Sequence, residues 1–357
     1  MGDVFDKVSR PSSILIFENN NPTKSTSIKI VNLTSFGKNE KNRNVAISSH
    51  YEKVKQKDLD NIPGKLFITA KPEKYKIWTK VNEIINNLLS EVVDNDGIQR
   101  GVSPDLKEAF LVDSDTADKF QLEKHKLKKV VTGGVHVKRY FISRPDQWLI
   151  YTSRDDDFQK LPKICKYIDQ FKNKITCKEV EQDKHPIYSL HRPRKEQIFL
   201  KNEKIIGVIT GDKIIVSLDG SRIYPTDGLY LFGVDKTINV NYLLGILNSK
   251  LFVFIYRLLS IENGRVLPQV KPTILSKLPI RTLNFQDSEE DKFQYDQMVS
   301  LVKNMLDLNK KLAEAKTPQA KDVLQRQIET IDKQIDQLVY KLYDLTDEEI
   351  KIVESET

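Results

Sequence analysis

Hydrophobic residues in the last quarter of the chain recur every three or four positions. The pattern comprises Leu301, Met305, Leu308 and Leu312, and then Leu324, Ile328, Ile331, Ile335, Leu338, Leu342 and Leu345. A repeat close to 3.5 residues is typical of helices that pack along one apolar seam. Between the two runs, Thr317 suits a helix N-cap and Pro318 the first helical position. The pattern predicts an antiparallel helical hairpin within residues 286–357.

Residues 94–285 instead show short β-rich runs separated by polar turns. The predicted strands are 109–112, 139–142, 148–151, 198–200, 204–209, 213–217 and 228–232. Apolar periodicity predicts helices over 158–173 and 241–259. The fold class expected is α+β, with a mixed or antiparallel β-rich domain followed by the helical hairpin.

The first 93 residues divide into two predicted parts. Residues 12–18 and 27–33 are β-rich and flank a turn-forming segment, which predicts a strand hairpin within residues 1–45. Since a hairpin this small is marginally stable alone, we expect it to be the remnant of a larger sheet. Residues 46–93 are expected to be a connector and an amphipathic helix. The helix is predicted over 74–93, with a stop signal at Asp94-Asn95-Asp96-Gly97.

Charge separates the body of the chain from its tail. Residues 1–285 contain 47 Lys and Arg against 33 Asp and Glu, whereas residues 286–357 contain 10 against 17. A basic body with an acidic tail favours a polyanionic partner for the body. No apolar run is long enough to span a bilayer, and the N-terminus lacks a signal-peptide core, so the expected location is cytoplasmic, with no membrane partner.

The sequence offers no convincing catalytic, cofactor or metal site. It has no Gly-rich cofactor loop, and Asn20-Asn21-Pro22-Thr23 lacks the second proline and the aromatic residue of an adenine-methylating loop. Asp157 and Lys160 are one position too far apart for a metal-dependent nuclease motif. The order Cys165, Cys177, His185, His191 does not bring ligand pairs close along the chain, and Cys165 is expected on an apolar helix face.

Basic and donor-rich residues cluster near predicted loops and strand ends. Arginine and lysine can contact phosphates, arginine can also read guanine, and glutamine can read adenine. The candidate DNA-binding residues are Gln99, Arg100, His136, Lys138, Arg139, Tyr140, Arg192, Arg194, Lys195, Arg222 and Lys271. Pro193 restricts the backbone between two of the arginines, and an extended conformation there would turn both side chains to one surface. Solvated faces or local ion pairs are the alternative interpretation of each cluster.

Several segments in order resemble the TaqI-like C-terminal specificity domain of adenine-N6 DNA methyltransferases, including type IIG restriction–modification enzymes. They are GIQRGVSPDLKEAFLV at 97–112, VHVKRYF at 135–141, WLIY at 148–151, PIYSLHRPRKEQIF at 186–199, KIIGV at 204–208, YPTDGLYLF at 224–232, YLLGILNSKLFVFIYR at 242–257 and KLPIRTL at 277–283. The segment 4–19 resembles the last strand hairpin of the methyltransferase fold.

The resemblance implies a module that recognises a sequence in double-stranded DNA. It also implies a methyltransferase catalytic domain or subunit as partner, with S-adenosylmethionine bound there and no cofactor in this chain. Since the family's cofactor and adenine motifs would precede residue 1, we expect this chain alone not to be an enzyme. The alternatives are a nuclease or methyltransferase with a degenerate site, a subunit of an active enzyme supplied by another chain, and a scaffold that binds a protein through the helical hairpin.

Overall fold

The computed structural model describes residues 23, 26–30, 52–55, 72–260, 267–283 and 288–357. In these ranges the strands are β1 Ser27–Ile30, β2 Glu52–Lys55, β3 Asn87–Leu88, β4 Gln99–Arg100, β5 Leu111–Val112, β6 Leu127–Val131, β7 Val137–Lys138, β8 Phe141–Ile142, β9 Trp148–Ile150, β10 Lys204–Val208, β11 Val216–Asp219, β12 Tyr224–Pro225, β13 Leu229–Phe232 and β14 Pro279–Ile280.

The helices of the same ranges are α1 Pro72–Ile84, α2 Leu89–Val92, α3 Lys107–Phe110, α4 Ser114–Lys119, α5 Gly133–His136, α6 Pro162–Ile168, α7 Lys178–Glu181, α8 Glu196–Phe199, α9 Val240–Asn248, α10 Lys250–Leu259, α11 Pro272–Leu275, α12 Glu289–Glu314, α13 Pro318–Leu342 and α14 Asp347–Ser355. Short 3-10 turns lie at Lys124–Lys126, Phe158–Lys160 and Asp169–Phe171. The predicted α+β class is confirmed.

A four-stranded antiparallel sheet in the order β11-β10-β13-β4 lies between two hydrophobic cores. Successive strand residues point to opposite faces. Ile205 and Phe232 therefore pack with the C-terminal helices, whereas Ile206 and Leu231 pack in the core of the body. All five residues of β10 are buried, which explains its almost continuous apolar run.

A second four-stranded sheet, β12-β6-β9-β5, belongs to the core of the body. Its β6–β12 pair is parallel, with Val131 opposite Pro225, and its other pairs are antiparallel. The expectation of mixed strand pairing is thus confirmed.

The C-terminal helices form the predicted hairpin. Helices α12 and α13 pack against each other and are joined by only three residues. Thr317 accepts the N–H of Ala320 as N-cap, and Pro318 is the first helical residue, as the sequence predicts. The apolar residues Met305 and Ile335 are buried in the same core as α9. Gly245 of α9 allows close packing on Met298 and Val302, because a methyl group there would overlap both side chains.

Two predicted helices have different bounds in the structure. The helix predicted over 74–93 ends at Ile84, and the chain then forms β3, which pairs with β14, and the short helix α2. The helix predicted over 241–259 is broken at Ser249, where the backbone is extended and the side chain caps α10 through the N–H of Phe252. Helices α9 and α10 consequently meet at 67°.

Several predicted strands also differ. Two of the three residues 198–200 lie in helix α8. Half of 109–112 lies in helix α3, and the other half, Leu111–Val112, forms strand β5. The strand predicted over 139–142 is shorter, because Tyr140 has φ 60° and makes the turn of the β7–β8 hairpin. Strand β1 pairs with β2, which comes from the expected connector, rather than with 12–18; the latter segment lies outside the described residues.

Among the described helices, none by itself has the length and apolar content that crossing a membrane requires. The bent pair α9–α10 meets those criteria jointly, by length and composition, but its side chains are almost all buried in the protein core.

Candidate nucleic-acid interface

At one end of the central sheet, strands β4 and β10 finish and strand β13 begins. Strand β10 ends opposite the start of β13, with Val208 paired to Leu229. Strand β4 ends at Arg100, opposite Tyr230, and the next N–H, of Gly101, donates to the carbonyl of Leu229 at 2.9 Å. The segments that follow β4 and β10 and precede β13 therefore meet at this end.

The second sheet reaches the same end through β6 and β12. The N–H of Thr226 donates to Val131 at 3.0 Å, and the N–H of Val102 donates to Pro225 at 2.8 Å. Gly101 is required at this junction, because a Cβ atom there would overlap the carbonyl oxygens of Pro225 and Thr226. We call these strand ends, together with the adjoining loops, the sheet edge. It comprises residues 100–103, 132–136, 192–194, 209–211 and 226–228.

Arg100, Arg192 and Arg194 meet at the sheet edge, although they come from two distant parts of the chain. Arg192 and Ser103 exchange backbone hydrogen bonds of 3.0 and 2.9 Å, and Nε of Arg194 donates to the carbonyl of Gly101 at 3.2 Å. Burial, and then repulsion by Arg192 and Arg100, lower the pKa of Arg194. The three guanidinium groups are thus within electrostatic reach of one another, and we call them the arginine cluster.

Arg194 has a left-handed backbone with φ 65°, so the expectation of an extended Arg192–Arg194 segment is wrong at this residue. A residue other than glycine pays about 1–2 kcal/mol for this conformation. The hydrogen bond to Gly101 and the ladder at Arg192 hold the turn in place. Strained backbone of this kind is often retained at functional sites.

Positive charge at the sheet edge is only partly balanced. Asp227 accepts the hydroxyl of Ser103 at 2.9 Å and partly offsets the lowered pKa of Arg194. Within the described ranges, no guanidinium group of the arginine cluster lies within 4.0 Å of an Asp or Glu oxygen. Arg100 and Arg192 are exposed, so the cluster is open to an anionic ligand.

Some of the other candidate residues lie beside this cluster. His136 is in the 132–136 loop, where its Nδ1 accepts the N–H of Thr132 at 3.0 Å, and burial lowers its pKa. Lys138 is exposed on β7, and Lys195 is exposed just after Arg194. Lys271 follows Val270, whose N–H donates to Ile209 at the end of β10.

Four candidates have local structural roles or lie elsewhere. Gln99 donates its amide to the carbonyl of Asp96 at 2.8 Å. Arg139 forms a two-pronged ion pair with Asp332 of α13, at 2.6 and 2.9 Å, and Tyr140 beside it is 3% exposed. Arg222 lies at the opposite end of β10 and donates to Asn202 at 2.7 Å. We therefore leave Arg139, Tyr140 and Arg222 out of the interface.

The lysines of β6 and of the 3-10 turn before it form ion pairs with neighbouring acids. Lys126 pairs with Asp156, Lys128 with Glu196 at 3.5 Å, and Lys129 with Asp146 at 3.5 Å; Lys129 also lies over the ring of Trp148. These lysines stabilise the body locally, and their run of positive charge is largely neutralised.

Next to the arginine cluster, Cys177, Glu179, His185 and His191 come together between α7 and the loop that leads to Arg192. Sequence spacing did not predict this grouping. Cys165, which the spacing argument included, lies instead on α6 and donates to the carbonyl of Phe158. Among the described residues, Cys177, Glu179 and His191 have ligand atoms close enough together to hold a metal ion, and His185 lies next to Cys177.

Residues 129–280 match the family model of the TaqI-like C-terminal specificity domain. No curated protein is significantly similar to the chain in sequence. Strand β4 precedes the matched segment but completes its central sheet, so the folded unit begins earlier than the match.

Two solved structures similar to this chain are restriction enzymes. The type IIL restriction-modification enzyme MmeI, solved in complex with DNA, has 12% identity and a TM-score of 0.49 over 74% of this chain and 35% of its own. The type IIG restriction endonuclease BpuSI has 12% identity and a TM-score of 0.41 over 82% of this chain and 35% of its own. This chain therefore spans about a third of the length of either enzyme.

Proposed function

We propose that the chain recognises a specific sequence in double-stranded DNA through its sheet edge, on the premise that residues 129–280 match the family model of the TaqI-like C-terminal specificity domain. The observation that carries the proposal is the arginine cluster. Arg100, Arg192 and Arg194 converge on rigid backbone and have no carboxylate ion pair among the described residues. A phosphodiester backbone is the polyanion that suits such a surface.

The geometry supports base reading as well as phosphate binding. An arginine fork can donate two hydrogen bonds to O6 and N7 of guanine in the major groove. Arg194 is held by a side-chain hydrogen bond to Gly101, and Arg192 by a backbone ladder to Ser103. In this proposal these contacts restrict both residues before DNA binds, which reduces the conformational entropy lost on contact.

The wider role that we propose is target recognition for an adenine-specific methyltransferase of a restriction–modification system. The chain's own sequence lacks the Gly-rich cofactor loop and the adenine-binding loop. In this proposal a catalytic unit outside these 357 residues binds S-adenosylmethionine and receives the flipped adenine. The sheet edge supplies the sequence preference that places the target adenine at the catalytic unit.

A matched pair of arginines tests where DNA binds. Arg194 and Arg222 both have a left-handed backbone, with φ 65° and 56°, but they lie at different ends of β10. Alanine at either position removes one charge and keeps a residue other than glycine in the left-handed conformation. A duplex is first enriched from a random library with the wild-type chain, and affinity for it and for unselected duplex is then measured by fluorescence anisotropy.

We expect Arg194→Ala to lose about 1–3 kcal/mol on the enriched duplex and less on unselected DNA, because a base contact is lost. Arg222→Ala should retain affinity for both. Thermal unfolding of each variant is measured alongside, so that instability is not read as lost binding. Failure to enrich any sequence would contradict the proposal, as would equal losses in the two variants.

A further inference from the structure

Three side chains with metal-binding atoms lie together beside the arginine cluster. The ligand atoms of Cys177, Glu179 and His191 are all within 4.8 Å of one another. Sγ of Cys177 is 3.1 Å from Oε2 of Glu179, and Nε2 of His191 is 3.4 Å from Oε1 of the same carboxylate. Cys177 is buried, so its sulfur is shielded from bulk water.

His185 lies beside Cys177 and offers a fourth ligand atom to this group. Its Nε2 lies 3.7 Å from Sγ of Cys177, and the residue is 5% exposed. On the other side of the ring, Nδ1 is 3.1 Å from the carbonyl of Pro186 and 3.0 Å from Oγ of Ser189. A carbonyl can only accept, so Nδ1 carries the proton and the lone pair of Nε2 faces the cysteine. Metal-binding histidines are commonly oriented by such a bond on their second nitrogen.

We infer that Cys177, Glu179 and His191 bind a zinc ion, and that His185 joins them as the fourth ligand of a tetrahedral site when the ion is bound. Zinc–sulfur bonds of about 2.3 Å and zinc–nitrogen or zinc–oxygen bonds of about 2.0 Å place tetrahedral ligands about 3.3–3.5 Å apart. The three neighbouring pairs are 3.1, 3.4 and 3.7 Å apart, close to those values. His185 lies outside the group of ligand atoms within 4.8 Å of one another, so its ring has to move toward the ion to complete the tetrahedron. Thiolate and imidazole ligands select zinc over magnesium or calcium, which prefer sites made only of oxygen.

The charge of the site also balances. A thiolate, a carboxylate and two neutral imidazoles carry two negative charges, which one Zn²⁺ neutralises. The thiol of Cys177, which donates to Glu179 in the metal-free arrangement, releases its proton to solvent when the sulfur–zinc bond forms. No oxidant, reductant or further reactant is needed.

The position of the site indicates a structural role. His191 immediately precedes Arg192, and the N–H of Cys177 donates to Asp105 of the segment that follows Ser103. A bound ion would therefore tie α7 and the 185–191 loop to the base of the arginine cluster. Zinc binding itself does not depend on DNA being the ligand of the sheet edge, so the two proposals can fail separately.

The chain contains its own control, because Cys165 is the other cysteine. The full chain is stripped with a chelator and titrated, without DNA, with Zn²⁺ against a chromogenic competitor and with Co²⁺ as a spectroscopic probe. We expect one ion per chain in the wild type and in Cys165→Ser, with a thiolate-to-cobalt charge-transfer band in both. Cys177→Ser should lose this band.

Two further variants separate ligation from folding. Glu179→Gln changes a half-exposed side chain and should weaken Zn²⁺ binding without altering the circular dichroism spectrum. Ser189→Ala removes an orienting partner of His185 and should weaken binding about 10- to 100-fold. The inference is overturned if the wild type takes up no Zn²⁺ in competition with the chelator, or if Cys177→Ser and Glu179→Gln both bind as the wild type does.

Discussion

At the scale of single residues, Gly101 sets how closely the two sheets approach each other at the proposed interface. Gly101→Ala would push a methyl group into the carbonyl oxygens of Pro225 and Thr226, which are backbone atoms in a hydrogen-bonded junction. Overpacking of this kind costs about 1–3 kcal/mol. We expect the free energy of unfolding to fall by at least that amount in urea denaturation.

Gly228→Ala is the control for this prediction. Gly228 lies at the same edge, but a Cβ atom there would meet its nearest neighbour at an ordinary 3.6 Å. This variant should unfold close to the wild type. If both variants had the same stability, close approach at Gly101 would not be what joins the sheets.

Residue type and local context predicted the site only in part. Arg192 and Arg194 stand out in sequence because Pro193 separates them, but their meeting with Arg100 depends on the β4–β13 pairing. In sequence, Arg139 is an equally good candidate for DNA contact. It is instead paired with Asp332, which is 193 residues away in the chain, so the sequence gives no sign of this ion pair. Sequence spacing argues against a metal site at Cys177, His185 and His191, and it gives no sign of Glu179, whose carboxylate lies between Cys177 and His191.

At the scale of secondary-structure elements, Asp336 of α13 connects the helical hairpin to α10. It is 2% exposed, and its Oδ1 accepts the N–H of Lys250, the first residue of α10. Burial raises the pKa of Asp336 from 3.8 to about 6, and nearby Asp332 adds to the effect. Folding therefore favours the protonated carboxyl group. Its contribution to stability is fully present below about pH 4 and is lost as the pH rises through 6.

Asp336→Asn keeps an oxygen that can accept the hydrogen bond from Lys250 but removes the charge. Relative to the wild type, we expect this variant to gain up to about 3 kcal/mol of unfolding free energy between pH 4 and pH 7. Chemical denaturation across this pH range measures the difference, and other titrating groups cancel between the two proteins. Asp332→Asn should instead be destabilising, since it weakens the ion pair of Arg139. A stability difference independent of pH would contradict this account of Asp336.

Element length largely decided which elements could be predicted. Helices α12 and α13 carry several turns of apolar repeat, so their type and even the Thr317 cap follow from sequence. Short apolar runs do not distinguish strand from helix, and Ile198–Phe199 lies in α8 because both residues fit the core of the body as one helical turn. The break at Ser249 was missed because the residues around it are apolar enough for one continuous helix.

At the scale of the whole molecule, the central sheet has its faces in the two hydrophobic cores and its strand ends at the proposed DNA interface. Its one face packs on the C-terminal helices, its other face completes the body, and its edge presents the arginine cluster. The β7–β8 hairpin connects these parts, since it begins next to His136 and reaches α13 through Arg139. The acidic tail thus packs against one face of the central sheet, whereas the arginine cluster lies at the sheet edge.

The salt dependence of duplex DNA binding shows whether the arginine cluster contacts DNA. The triple variant Arg100→Gln, Arg192→Gln and Arg194→Gln is compared with the wild type and with a control, Lys310→Gln, Lys321→Gln and Lys333→Gln, which removes three exposed charges from the helical hairpin. Each lost phosphate contact reduces the slope of log affinity against log salt by about one unit. If the arginine cluster binds the DNA backbone, the slope is shallower by about two to three units for the arginine variant and unchanged for the lysine variant. A wild-type slope in the arginine variant, or an equal change in the lysine variant, would contradict DNA binding by the arginine cluster.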